Sequence, residues 1–233
     1  MHCCRLSGVA ILGPVGNFWW SGFPANVTLD AWNVQVAQDK WAVGVAHHAP
    51  WLTYWWNTQK LFPASSVISF NPAIFSREDR AVIPKLASRT YAVSNANLPI
   101  RSSTYHTSRI PQPDNVAYRR SCLLFVICDG GGGVQYQARQ QGEHESLHRD
   151  MTVGFGKWSW SPLELEDPFP GGEGRVHLWH GAEDLIAPVG LSRYISQRLP
   201  WVRYHELPTA GHLFPIADGM ADTIVKSLLL GDE

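Results

Sequence analysis

Residues 174–184 read GRVHLWHGAED, a β-type run from Gly174 to His180 that leaves through Gly181 into a loop carrying two carboxylates, Glu183 and Asp184. Downstream, Pro188 stands where a first helical turn tolerates proline, and Leu191, Tyr194, Ile195 and Leu199 recur at helical spacing before Pro200 ends the segment. Val202 to Leu207 is a second strand, Pro208 to His212 (PTAGH) a turn, and Ile216 to Leu230 an amphipathic last helix. Strand, helix, strand, helix is the pattern of an α/β fold with parallel strands joined by crossover helices. It brings the C-terminal ends of both strands to one edge of the sheet, where such proteins build their sites. Asp184 and His212 each fall just past one of those ends.

A carboxylate on one nitrogen of an imidazole fixes its tautomer and stabilises the imidazolium, and the other nitrogen then moves a proton. The 28 residues separating Asp184 from His212 correspond to about one strand-to-strand crossover. Glu183 is the alternative acid, although a neighbouring loop residue points elsewhere. Taken singly, Asp184 reads as a loop cap and His212 as a turn histidine; at matching exits they read as an acid–base pair.

Working outward, Leu6 to Leu12 forms a first core strand, its apolar run Val9 to Leu12 cut off by Gly13, Pro14 and Gly16. That run is too short for a signal peptide, and no stretch approaches the ~20 apolar residues of a membrane span. Between the first strand and Gly174, nine of the eleven tryptophans occur: Trp19, Trp20, Trp32, Trp41, Trp51, Trp55, Trp56, Trp158 and Trp160. This middle region reads as a mainly helical cap inserted between two strands. Thr28 or Asp30 caps a helix bearing Trp32, Val36 and Val43, and Pro50 starts another with Leu52, Trp55, Trp56 and Gln59. Trp19, Trp20, Trp55 and Trp56 are the candidate substrate-binding aromatics, with core packing the alternative role for each.

Residues 89–133 differ from their surroundings. They mix Ser, Thr, Asn, Pro and Arg, then end in an apolar run, Leu123 to Cys128, and four glycines. With no visible period, they read as a disordered or non-native insertion in the cap. Further on, His144, Glu145 and His148 spell H-E-x-x-H, which on a helix offers two imidazoles to Zn²⁺ and a general base. The metzincin continuation fails, because Met151 stands where Gly is required and Gly154 where His is required. Glu164, Glu166 and Glu173 are the available third ligands for a zinc peptidase, a minor reading; no metal or cofactor is expected. His47, His48, His177 and His180 read as packing or surface histidines.

The chain of 233 residues is 45% hydrophobic and 17% charged, enough apolar material for one real core. Nineteen Lys and Arg against 20 Asp and Glu, scattered along the chain, argue against nucleic acid as a partner, and a small-molecule substrate stays open. Cys3, Cys4, Cys122 and Cys128 match neither a zinc spacing nor a disulfide framework, so free thiols and a cytoplasmic location are the default expectation. The sequon at Asn26 says little without a secretory signal.

Several blocks together resemble the α/β-hydrolase superfamily, and more closely a plant group within it that has a Trp-rich cap. They are Leu6 to Pro14 (LSGVAILGP), Asn17 to Pro24 (NFWWSGFP), Trp41 to Ser66, Gln140 to Pro162 (with HRDMTVGFGKW), HLWHGAED and AGHLFPIADGM, which cover most of the chain outside 89–133. The resemblance implies residues 1–17 as a first core strand and its exit, 18–165 as the cap region and 166–233 as the C-terminal hydrolase core. It implies Asp184 and His212 as acid and base of an ester- or amide-type hydrolase. The family's nucleophile lies in a Gly-x-Ser-x-Gly elbow roughly twenty residues before the first strand here, and no Ser or Cys of the chain has glycines two before and two after it. The expectation is therefore a C-terminal part of an α/β-hydrolase, inactive as it stands, or a non-catalytic ligand-binding protein. Its exposed edge strand is expected to pair with another chain.

Overall fold

The computed structural model describes residues 8–69, 71–84, 142–172 and 174–230. The 89–133 segment and all four cysteines lie outside the described residues, as does Glu173. Three parallel strands form one sheet: β1 (Val9–Leu12), β2 (Val176–Gly181) and β3 (Val202–Leu207), in the order β1-β2-β3. The register pairs Val9 with Val176 and Leu12 with Trp179, then Val176 with Val202 and Gly181 with Leu207. Every residue of β2 is buried, as the central position of a sheet covered on both faces requires.

Between β1 and β2 come α1 (Ala25–Val34), α2 (Ala37–His48), α3 (Thr53–Thr58), α4 (Ser66–Ser69), helical residues 77–84 (α5) and α6 (Glu143–Phe155). α7 (Val189–Arg198) crosses from β2 to β3, and α8 (Met220–Leu230) closes the described chain. Neither Thr28 nor Asp30 starts a helix, contrary to expectation. α1 begins directly after Pro24, and the Thr28 hydroxyl bonds back to the Ala25 carbonyl within the first turn at 3.1 Å. The chain also breaks at Gln35 and Val36, both extended, where one continuous helix is predicted. The Gln35 amide explains the break, since it donates to the Ile186 carbonyl at 3.0 Å in the loop after β2. Pro50 opens a short 3-10 turn (Pro50–Leu52) that runs into α3.

The two faces of the sheet are covered by different helices. Trp179 packs with Phe214 and Ile224 on the α8 side, joined by Ala10, Leu12 and Leu207. On the opposite face α7 docks through a His180–Ser192 contact at 2.9 Å and an Arg193–Glu206 ion pair at 2.6 Å. Phe18, Ala31, Ala42, Val43, Ala46 and Met151 share one buried cluster with Leu191 of α7, so the Trp-rich region packs directly on the crossover helix. The alanines let the helices close: Ala42 and Ala46 are wholly buried. α6 packs against α2 and α3.

A second cluster joins Ile74 and Phe75, ahead of α5, to Leu213, the residue after His212. Leu213 is 1% exposed, so Leu213→Ala leaves a cavity that its neighbours fill only in part. A loss of about 2–5 kcal/mol in urea denaturation is expected, and a loss below ~1 kcal/mol would contradict this packing. No helix among the described residues is long and apolar enough to cross a membrane.

Candidate active site

All three strands end at the same edge, and the residues that follow them converge there. β1 ends at Gly13, whose positive φ of 52° turns the chain in a way a side chain would resist. A Cβ on Gly13 would lie 3.4 Å from His212 Nδ1 and 3.7 Å from Asp184 Oδ2, so the loop leaving β1 runs directly against the pair. Asp184 follows β2 and His212 follows β3. The two meet with His212 Nδ1 and Asp184 Oδ2 2.6 Å apart.

The loop after β2 is built around the Asp184 carboxylate. Oδ1 accepts the N–H groups of Ile186 at 2.9 Å and Ala187 at 2.8 Å, and Oδ2 faces both His212 and His180 Nε2, the latter at 3.3 Å. Both oxygens are thus committed to donors, and Asp184 is only 2% exposed. Burial pushes its carboxyl up, but the His212 charge and the hydrogen bonds from His180 and His212 outweigh that, holding the group well below the usual carboxylate range. Glu183 is exposed and its N–H bonds the Ala210 carbonyl at 2.9 Å, whereas Asp184 and His212 are both buried.

His212 is also buried. Burial pushes the imidazolium down, but the Asp184 charge, the Asp184 hydrogen bond and the Asp79 charge outweigh it, and the ring is held above the ordinary histidine value. With Nδ1 turned to a carboxylate, Nδ1 carries the hydrogen and Nε2 becomes the nitrogen that exchanges protons with a reacting group.

Stability should follow these two shifts. The raised His212 contributes fully below the unfolded value of ~6.5 and loses its contribution as pH rises through the folded value. The depressed Asp184 contributes above ~3.9 and loses its contribution as pH falls through its folded value. The stability gap between the wild-type chain and Asp184→Asn is expected to be widest between about pH 4 and 6.5 and to narrow on both sides. Urea denaturation across pH measures it, and a gap that does not change with pH contradicts the pairing.

Two residues at this edge are not assigned to it from the sequence. His180, read there as packing or surface, is fully buried behind Asp184; its Nε2 also contacts the Ala187 carbonyl at 2.7 Å and its Nδ1 the Ser192 hydroxyl. Because a carbonyl only accepts, Nε2 carries the hydrogen, and His180 presents it to the acid loop. Asp79, at the start of α5, accepts the backbone N–H of His212 at 3.2 Å and of Leu213 at 2.6 Å. Its one sequence signal is the Ser76-x-x-Asp79 spacing of a capping box.

The four candidate aromatics fall into two groups. Trp19 stacks on buried His47 at 3.9 Å and meets Trp32 edge-on at 5.5 Å, while Trp20 lies against Trp160 and Phe23. Both sit on the loop that passes the pair at Gly13. Trp55 and Trp56 belong to α3, where Trp56 packs with Phe62 at 5.7 Å and Trp41 at 6.1 Å. Among the described residues no direct ring contact joins the two groups, although Trp32 and Trp56 border the same core cluster.

The H-E-x-x-H residues lie on α6. His144 is exposed, Glu145 pairs with Arg149 at 2.9 Å, and His148 meets Tyr54 edge-on at 6.2 Å. Among the described residues no group of three His, Cys, Asp or Glu side chains is arranged to hold a metal ion. No protein-family model matches this chain, and no curated protein matches it.

Proposed function

We propose that this chain carries the acid–base half of an α/β-hydrolase site for ester or amide bonds. The observation behind this reading is the buried 2.6 Å contact between Asp184 and His212 at neighbouring exits of a parallel sheet. In this reading His212 Nε2 takes the proton of a serine hydroxyl as that oxygen attacks the substrate carbonyl. The same nitrogen returns the proton to the departing alcohol or amine, while Asp184 stabilises the transient imidazolium. In this reading the serine and the oxyanion-stabilising amides are supplied by a separate polypeptide segment, since the sequence holds no Gly-x-Ser-x-Gly turn. β1, an outer strand of the described sheet, offers its second edge to such a segment. In this reading Trp19 and Trp20, on the loop that leaves β1, are the candidate substrate-binding aromatics.

The same missing turn favours a second reading, a protein that binds a small ligand at this edge without turning it over. Mixing the chain with a polypeptide carrying a strand, a Gly-x-Ser-x-Gly turn and a helix separates the two. The hydrolase reading expects p-nitrophenyl acetate turnover by the mixture and none by either part alone. Ligand binding without turnover in every mixture favours the second.

A further inference from the structure

Asp79 is 1% exposed, yet it belongs to the region between β1 and β2, 133 residues before the histidine whose N–H it accepts. Part of its burial has a local reason. The Ser76 N–H donates to Asp79 Oδ2 at 3.0 Å and the Asp79 N–H to Ser76 Oγ at 3.1 Å, a reciprocal cap at the start of α5. Starting a helix requires nothing more of this carboxylate. The His212 N–H on Oδ2 and the Leu213 N–H on Oδ1 are additional, and they come from the one loop that presents the imidazole to Asp184. Gly211 leaves the room for this contact: a Cβ there would be driven into Asp79 Oδ2 and Ser76 Oγ.

We propose that Asp79 is a positioning residue for His212: by holding the backbone N–H groups of His212 and Leu213 it seats the imidazole against Asp184. This rests on the reading of Asp184 and His212 as an acid–base pair. Among the described residues, the charged and titratable groups around His212 include Asp184 at its ring, Asp79 at its backbone, and His180 reached through Asp184. A second carboxylate beside an imidazole stabilises the cation whether or not it touches the ring. Gln35 does the matching work on the acid loop through Ile186, so one region of the chain anchors both members of the pair.

The test is an NMR titration of the His212 ring in the whole chain, for the wild type, Asp79→Asn, Ser76→Ala and Asp184→Asn. Asp79→Asn keeps the size of the side chain, removes its charge and turns an NH2 toward a backbone N–H. It is expected to lower the His212 midpoint. Ser76→Ala removes the capping partner but keeps the carboxylate, so it should lower the melting temperature and leave the midpoint in place. A wild-type midpoint in Asp79→Asn overturns the proposal, as does an equal shift in Ser76→Ala. If Asp184→Asn lowers the midpoint and Asp79→Asn does not, only the role of Asp79 is lost; if neither does, the acid–base reading fails with it. For an Asp79→Asn chain that does not fold, amide exchange decides. The His212 and Leu213 amides should be protected in the wild type and exchange roughly tenfold faster in Asp79→Glu. Exchange as fast as in open loop amides, already in the wild type, overturns the proposal.

Discussion

If the proposed hydrolase site is completed by a Gly-x-Ser-x-Gly segment, His212→Ala and Asp184→Asn are each expected to reduce its ester turnover by about 10³- to 10⁴-fold, with KM nearly unchanged. The size follows from the dependence of one step on both groups. Without the imidazole, the serine proton has no acceptor in the site. Without the Asp184 charge, the imidazolium forming during attack loses its partner, and the Asn amide can present NH2 to Nδ1, which favours the tautomer with hydrogen on Nε2. The proton-accepting nitrogen is then already occupied. The double variant should be little worse than either single one, because each substitution disables the same unit. Turnover that survives both substitutions would place the chemistry elsewhere in the molecule.

Gly211→Ala is expected to destabilise the fold by about 3 kcal/mol, a large effect for one methyl group. The added Cβ overlaps Asp79 Oδ2 and Cγ as well as Ser76 Oγ. Neither side chain has space to retreat, since Asp79 is 1% and Ser76 6% exposed. Displacing Asp79 also strips the His212 and Leu213 N–H groups of their acceptor, and a buried donor left without a partner costs about 1–3 kcal/mol by itself. Chemical denaturation measures the loss, and the His212 ring should move away from Asp184 in the same variant. An alanine chain of wild-type stability would show that the Asp79 contact is not as close as described.

How much of this was legible in the sequence depends on the range of the interaction. β3 spans Val202–Leu207 as the sequence pattern predicts, and β2 differs only at its ends, running Val176–Gly181. Both are short apolar-rich runs bounded by turn residues, so neighbours along the chain determine them. The choice of Asp184 over Glu183 was legible for a similar reason, because successive loop residues point in different directions. The last helix starts at Met220 rather than Ile216. The chain first makes a 3-10 turn at Phe214–Ile216 and then reverses at Gly219, whose φ is 77°. The division of α1 from α2 was hidden, since it depends on Gln35 bonding a carbonyl 151 residues away. His180 and Asp79 were hidden likewise. Ser76-x-x-Asp79 spells a cap, but the second use of that carboxylate exists only once the His212 loop is packed on it.

The acid–base pair itself is most directly tested in the chain as it stands, by NMR of the His212 ring with ¹⁵N labelling. Nδ1 is expected to carry a hydrogen shared with Asp184, the ring to titrate above the ordinary histidine value, and Asp184→Asn to lower that midpoint and abolish the strongly deshielded Nδ1 proton. A His212 ring that titrates like an exposed histidine, unchanged by Asp184→Asn, would contradict the pairing.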